Sequence, residues 1–473
     1  MIQDYQLNKI IITSANEGNS LESLLEGQIV DGTGLDVSRG VLELDLYEDL
    51  SMPFINGKLI VGDTDGIISS RGINGNEFVI IEIESRSNPE SKINRVMMIS
   101  DVSDVIKANE QSDVYVFELT DPFAWISKCI QVSRYYKGPP LDIIRKIFSD
   151  YPLNVTIDER YGQYNLNGNI IRASLPSQKD IQIITPWWEP LKTIEWIRDR
   201  CTNSGGYPFM VYASIFDNSN RVIIENLSDI LKETSAYNNK TIIANPHNVI
   251  SKKPIVYSLH ASDENNIESY FAIEKYSRKN IYSIINLVKS GSLGSYLGVF
   301  DLNRGSEVYG EHHDITESIF GNINTNINPV RSAIARAETP FQQDLIDNSF
   351  EINGTKLRDI DSRRFYKTIS TGQFADVAGY SDEPAKDASY KTMIQNKAIR
   401  NVLKREALSI QMPGALFLAN KKSIGGLLDV NFLKVGGIDE DVSGRYAVIS
   451  MRHVFRDGVH TVSAELTRIA PNK

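Results

Sequence analysis

The sequence predicts an α+β chain that is mainly β: two antiparallel β-barrel-type domains, with α+β insertion and peripheral domains. Three observations carry this. Apolar and polar residues alternate at period two through most of the first 122 residues. Helical spacing appears only in a few stretches, two of which open on prolines. The chain closes on two alternating runs joined by Asp457-Gly458, a two-residue hairpin turn. With 473 residues, roughly three domains are expected.

In the first block, "VLELDLY" sets Leu42, Leu44 and Leu46 against Glu43, Asp45 and Tyr47, the pattern of a half-buried strand. "GKLIVGD", "EFVIIEI", "NRVMMIS" and "DVYVFEL" repeat the device between turn residues, so 1–122 reads as a first barrel. The pattern then changes. "PPLDIIRKIFSD" places Leu141, Ile144, Ile147 and Phe148 at helical spacing, and "EPLKTIEWIRDRC" does the same with Leu191, Ile194 and Ile197. "GGYPFMVYASIF" and "NRVIIENL" form a hairpin across "DNSN", which makes 123–245 an α+β domain.

Strand signals return over 246–310 in "IVYSLHA", "YFAIEKYS" and "YSIINLVKSGSLGSYLGVFDLNRG", the first part of a second barrel. Residues 311–388 are polar and weakly periodic, with "GNINTNINPV" and "GYSDEPAKDAS" as long loops, an extended insertion suited to draping over neighbours. From 389 the chain completes the second barrel. A helix in "SYKTMIQNKAIRNVLKREA" carries the stripe Ile394, Ala398, Val402 and Leu403, and strands follow in "ALSIQMPGALFL" and "LLDVNFLKV". In the final hairpin the turn pairs Phe455 with His460, His453 with Val462, Met451 with Ala464 and Ile449 with Leu466. One face then holds Ile449, Met451, Phe455, Val462, Ala464 and Leu466. Arg452 and Glu465 lie on the other, a diagonal step apart, with Val448 and Val454 as its apolar exceptions.

Composition narrows the function classes. The net charge of -10 is spread along the chain and no basic stripe marks a nucleic-acid binder. Arg400, Lys404 and Arg405 make too short a run for a nucleic-acid groove. The N-terminus, with Asp4 early, does not read as a signal peptide, and no window reaches the ~18 apolar residues of a membrane helix. Cys129 and Cys201, each near a predicted helix, read as reduced core thiols of a protein made in a cytosol.

The first block and the closing hairpin together carry a set of ordered motifs. They are Glu48 beside "SMPFINGKLIV", Asp63-Thr64-Asp65-Gly66, Gly75-Asn76-Glu77 before "FVIIEI", and Tyr446, Val448, His453, His460, Val462, Leu466 and Arg468 in the hairpin. This order resembles contractile-tail hub proteins: the baseplate hub of T-even-type bacteriophages and the related hubs of other contractile injection systems. The resemblance covers about 40–120 and 390–473, and 250–310 loosely; residues 311–385 do not map onto it. It implies a structural subunit and not an enzyme. That subunit would be a homotrimer whose barrels build a six-fold-like ring between the trimeric central spike and the hexameric tail tube or tube-initiator protein. It would have baseplate wedge proteins as further partners, be assembled in the host cytoplasm, and reside in the virion tail baseplate.

No catalytic, cofactor-binding or metal-ligating residue is assigned. His312-His313, flanked by Glu311 and Asp314, has ligand chemistry, but adjacent residues of a strand face opposite ways, and a solvated loop is the simpler reading. His453 and His460 are diagonal neighbours, read as half-buried rings packed near the turn. Gly205-Gly206 and "GSLGSYLG" lack the spacing of phosphate-binding loops and read as turns or bulges. Trp187-Trp188 between Pro186 and Pro190 reads as an interface or core wedge, with a sugar platform as the sharper option. The rival functions are a tail-associated cell-wall hydrolase, for which no carboxylate pair is marked, the hub part of a bacterial contractile secretion system, and a carbohydrate-binding tail module.

Overall fold

The structure, a computed structural model, describes residues 5–230 apart from short breaks, then 256–258, 273–280, 295–301, 305–313, 351–356, 363–369, 396, 406–414, 424–434, 437–438 and 443–471. Strands dominate, and the largest sheet has 13 of them.

Six longer strands form the N-terminal block: β1 (Tyr5–Thr13), β2 (Val41–Asp49), β3 (Asn56–Asp63), β4 (Phe78–Ser85), β5 (Lys92–Asn109) and β6 (Ser112–Thr120), and the two-residue strand Leu35–Asp36 pairs with β1. The six pair antiparallel in the order β2-β3-β6-β5-β4-β1. Alternation sends Leu44 and Leu46, Leu59 and Val61, Val79, Ile81 and Ile83, Met97 and Ile99, and Phe117 and Leu119 into one core. Leu42 departs from the expected alternation and is exposed, because a bulge between Val41 and Glu43 shifts the register of β2 against β3. β1 escapes a period-two reading because Ile10, Ile11, Ile12 and Thr13 are all buried: both faces are covered.

The α+β block follows. Helices α1 (Pro122–Cys129), α2 (Pro140–Asp150) and α3 (Pro190–Arg198) each begin with proline, where the missing N–H costs nothing. Strand β7 (Tyr135–Gly138) pairs with β9 (Ile181–Ile184). The predicted hairpin is β10 (Phe209–Tyr212) with β11 (Arg221–Asn226), and β11 also pairs in parallel with β8 (Thr156–Glu159). The predicted stripes of α2 and α3 pack with these strands into a separate core.

Beyond 230, β12 (Val256–Ser258) and β13 (Lys275–Asn280) join the main sheet. β14 (Ser295–Asp301), β15 (Ser306–His313) and β16 (Arg363–Ile369) form a three-stranded sheet, and Glu351–Ile352 pairs with Thr355–Lys356. The segment read as an extended loop therefore contains strands, which its polar composition hid. "GNINTNINPV" and "GYSDEPAKDAS" lie outside the described residues. So does the predicted helix near 389–405, including Arg400, Lys404 and Arg405, except for Asn396, which is helical and buried.

β17 (Glu406–Pro413), β18 (Leu427–Asn431), β19 (Gly444–Arg456) and β20 (Val459–Pro471) complete the main sheet. The turn at Asp457-Gly458 has φ of 51° and 76°, the left-handed pair that a two-residue hairpin requires. The predicted pairs Phe455–His460, His453–Val462 and Met451–Ala464 are present. Below them a bulge intervenes, so Leu466 faces Val448 and not Ile449. The cause is a change of neighbour. Ser450–Arg456 pair with β2, whereas Gly444–Ala447 pair with β18. At the switch the Ile449 carbonyl accepts from the Leu50 N–H (2.9 Å) while the Val448 N–H donates to Gly426 (3.0 Å). One hairpin thus belongs to both the N-terminal block and the C-terminal strands, and Tyr5 on β1 meets Phe455 edge to face at 5.1 Å.

Candidate functional site

Of the acidic motif residues of the first block, Glu48, Asp63 and Glu77 are buried, and each is engaged by backbone; Asp65 lies outside the described residues. Asp63 accepts from the N–H groups of Ile68 and Ser69, capping the turn after β3. Glu77 accepts from Asn74, Gly75 and Asn76, holding the turn before β4. Glu48 Oε1 accepts from the Ile215 N–H at 2.6 Å. These carboxylates organise chain reversals and a docking loop, and none is left facing solvent as an acid or base.

Glu48 also begins a buried chain. Its Oε2 lies 3.3 Å from His453 Nε2, and His453 Nδ1 lies 3.2 Å from His460 Nε2. Both histidines are almost fully buried, not half-buried as expected from the sequence. Phe455 stacks on His460 at 4.2 Å and Phe216 meets His453 edge-on at 5.8 Å. With both His453 nitrogens in this chain, the ring orders the joint and has no lone pair to spare for a ligand.

Arg95 is the functional residue that the sequence reading missed. Its Nη1 donates to the carbonyls of Ser214 and Asp217, both at 3.0 Å, and its Nη2 pairs with Asp121. Asp121 in turn accepts from Ile55 N–H at 2.7 Å, and Ser219 Oγ accepts from Val96 N–H at 2.6 Å. Burial pushes the Asp121 carboxyl above its ordinary range, opposed by Arg95. The signal was present in the sequence: Ile93, Arg95, Met97 and Ile99 alternate onto the core face, so a lone charge stood at an inward position. The "SMPFI" bend completes the seat, since Arg198 donates to the Ser51 carbonyl and Phe54 packs into the core of the α+β block.

The other predicted features separate. Cys201 is buried, but Cys129 is exposed at the end of α1, against expectation; the two are not joined in a disulfide. His312 and His313 lie on β15, in register with Tyr296 and Ser295, and not in a loop. Gly298 of "GSLGSYLG" is within β14, and Gly205-Gly206 lie outside the described residues. Trp188 packs against Trp196, while Trp187 is 67% exposed with φ of 55°. Arg452 bonds Asp45 at 2.7 Å, and Glu465 sits opposite Ser450, so the expected Arg452–Glu465 pair is replaced. Tyr47, which donates to Asp45, is pushed up to about 12 by burial and then by that carboxylate. An open cleft of about 510 Å³ lies alongside, lined by Tyr47, Asp49, Asn56, Ser450, Arg452 and Glu465 among others. Among the described residues no group of three or more His, Cys, Asp or Glu is arranged to hold a metal ion. No helix among them is long and apolar enough to cross a membrane.

No protein-family model matches the chain, and no curated protein matches it. Solved structures do. A tail protein from Neisseria meningitidis shares 10% identity at a TM-score of 0.47, over 98% of this chain and 97% of that one. The 43 kDa tail protein of prophage MuSo2 from Shewanella oneidensis shares 9% at 0.49, over 98% of each chain. A Francisella PdpA-VgrG complex shares 10% at 0.46, over 100% of this chain and 59% of that one.

Proposed function

We propose that the chain is a structural hub subunit of a contractile tail or related injection system, not an enzyme. The observation that carries this reading is the fate of the ordered motif residues. Glu48, Asp63 and Glu77 are buried and hold backbone, while His453 and His460 lock the closing hairpin. Motif residues that resemble a family's in their order, and that serve rigidity here, suit a part whose work is geometric. In this reading the N-terminal block and the C-terminal strands, sharing one hairpin, are the two barrel-type domains. Three chains then form a ring that adapts a trimeric spike to a hexameric tube, with wedge proteins outside, in the tail baseplate of a virion.

Native mass tests it. Light scattering at micromolar concentration, with the spike partner present, is expected to give three copies per particle, and a persistent monomer would overturn the ring. The hydrolase alternative predicts clearing of purified cell walls in a turbidity assay; the hub reading predicts none.

A further inference from the structure

We infer that the buried chain Glu48–His453–His460 is a proton-operated latch that holds the 213–217 loop of the α+β block against the N-terminal core and releases it in acid. Three strands supply it: β2 gives Glu48, β19 gives His453 and β20 gives His460. The loop side is the Ile215 N–H on Glu48 Oε1, with Ala213 and Ile215 buried in the core that they share with β2.

The chemistry follows from counting hydrogens. Each gap of the chain needs one. With neutral rings, His453 Nε2–H donates to Glu48 and His460 Nε2–H donates to His453 Nδ1, so both gaps are filled. One added proton makes an imidazolium whose charge Glu48 balances. A second must either neutralise Glu48, placing two donors across its gap to His453, or put N–H groups face to face across 3.2 Å. Phe455 and Phe216 wall the chain. The Gly414 backbone closes it: a Cβ there would fall 2.0 Å from His460 Nδ1. A buried net positive charge without a counter-charge is then strongly disfavoured. The other charged groups at this joint are Arg95 and Asp121, which bind each other and the carbonyls on either side of Ile215; Tyr5 lies against Phe455. The arrangement therefore accepts one proton and opens on two.

Hydrogen–deuterium exchange of the intact chain at residue resolution, corrected for intrinsic rates, tests this from about pH 7.5 to about 4.5. The closed chain already holds the first proton, so opening takes up one more, and protection of the Ile215 and Phe216 amides is expected to fall about tenfold per pH unit at its steepest. In Glu48→Gln the first proton has no counter-charge, so the closed chain holds none while the open chain binds two, and release moves to higher pH with a slope approaching about a hundredfold per unit. In His460→Gln the second proton has only Glu48 to take it, so release moves to lower pH. Amides of Leu44 and Leu59 report whether each variant has folded. If a variant has not, the wild-type slope decides alone. Flat protection in the wild type, or variants that coincide with it, would each overturn the latch.

Discussion

At the scale of single residues, the fold places its charges where packing cannot dispense with them. Arg95 occupies an inward position of β5 between Ile93 and Met97, with no exposed side-chain surface, and serves one carboxylate and two carbonyls. Such a pair contributes little net stability compared with a well-packed apolar replacement, but breaking it leaves a buried charge. Arg95→Met should therefore cost about 3–5 kcal/mol in urea unfolding near neutral pH. The pH dependence has a defined sign. Burial holds the Asp121 carboxyl above its unfolded value and Arg95 opposes this, so without Arg95 the folded state takes up the proton more readily. The loss should shrink as pH falls through the carboxylate range, and Arg95→Met combined with Asp121→Asn should recover part of it at neutral pH. A loss independent of pH would mean that Asp121 is rehydrated in the variant.

At the scale of elements, strands were legible where one face is buried and the other wet, as in β2 to β6, and helices where proline opened an apolar stripe, as in α2 and α3. β1 was not legible, because burial on both faces erases alternation. The bulge at Ile449 was not legible either: it arises where β19 exchanges β2 for β18, a tertiary event that no local pattern encodes. Of the candidate site, Glu48, His453 and His460 were named from sequence order alone, but their contact depends on strands some 400 positions apart. The corrected register sharpens a test. Leu466 is fully buried between Val448 and Leu408. Leu466→Ala should cost about 2–5 kcal/mol. Glu465 is exposed opposite Ser450, so Glu465→Ala should change stability by less than about 0.5 kcal/mol. Thermal unfolding of the two variants checks both, and equal melting points for Leu466→Ala and wild type would show that β20 does not pack inward.

At the scale of the whole molecule, sequence order and cooperative unit diverge. The N-terminal block is contiguous in sequence, yet its sheet continues from β2 directly into β19 and its core takes Phe455 from the far end of the chain. It also takes Ala213 and Ile215 from the α+β block. The α+β block is different: its core draws on residues 123–224, with Phe54 as the single outside contributor among those described. A fragment of residues 121–230 therefore keeps nearly all of its apolar core, whereas a fragment of residues 1–120 loses Phe455, the His453–Glu48 bond and the partner of β2. The bare β2 edge would expose Leu44 and Leu46 backbone to pairing with other chains. Circular dichroism and analytical ultracentrifugation are expected to find 121–230 folded and monomeric and 1–120 aggregated or unfolded. Folding of the intact chain should be slow, because the contacts that finish the first sheet close loops of about 400 residues. A soluble, cooperatively folded 1–120 fragment would show instead that the first block closes on itself, and that the terminal hairpin docks on a finished domain and does not complete it.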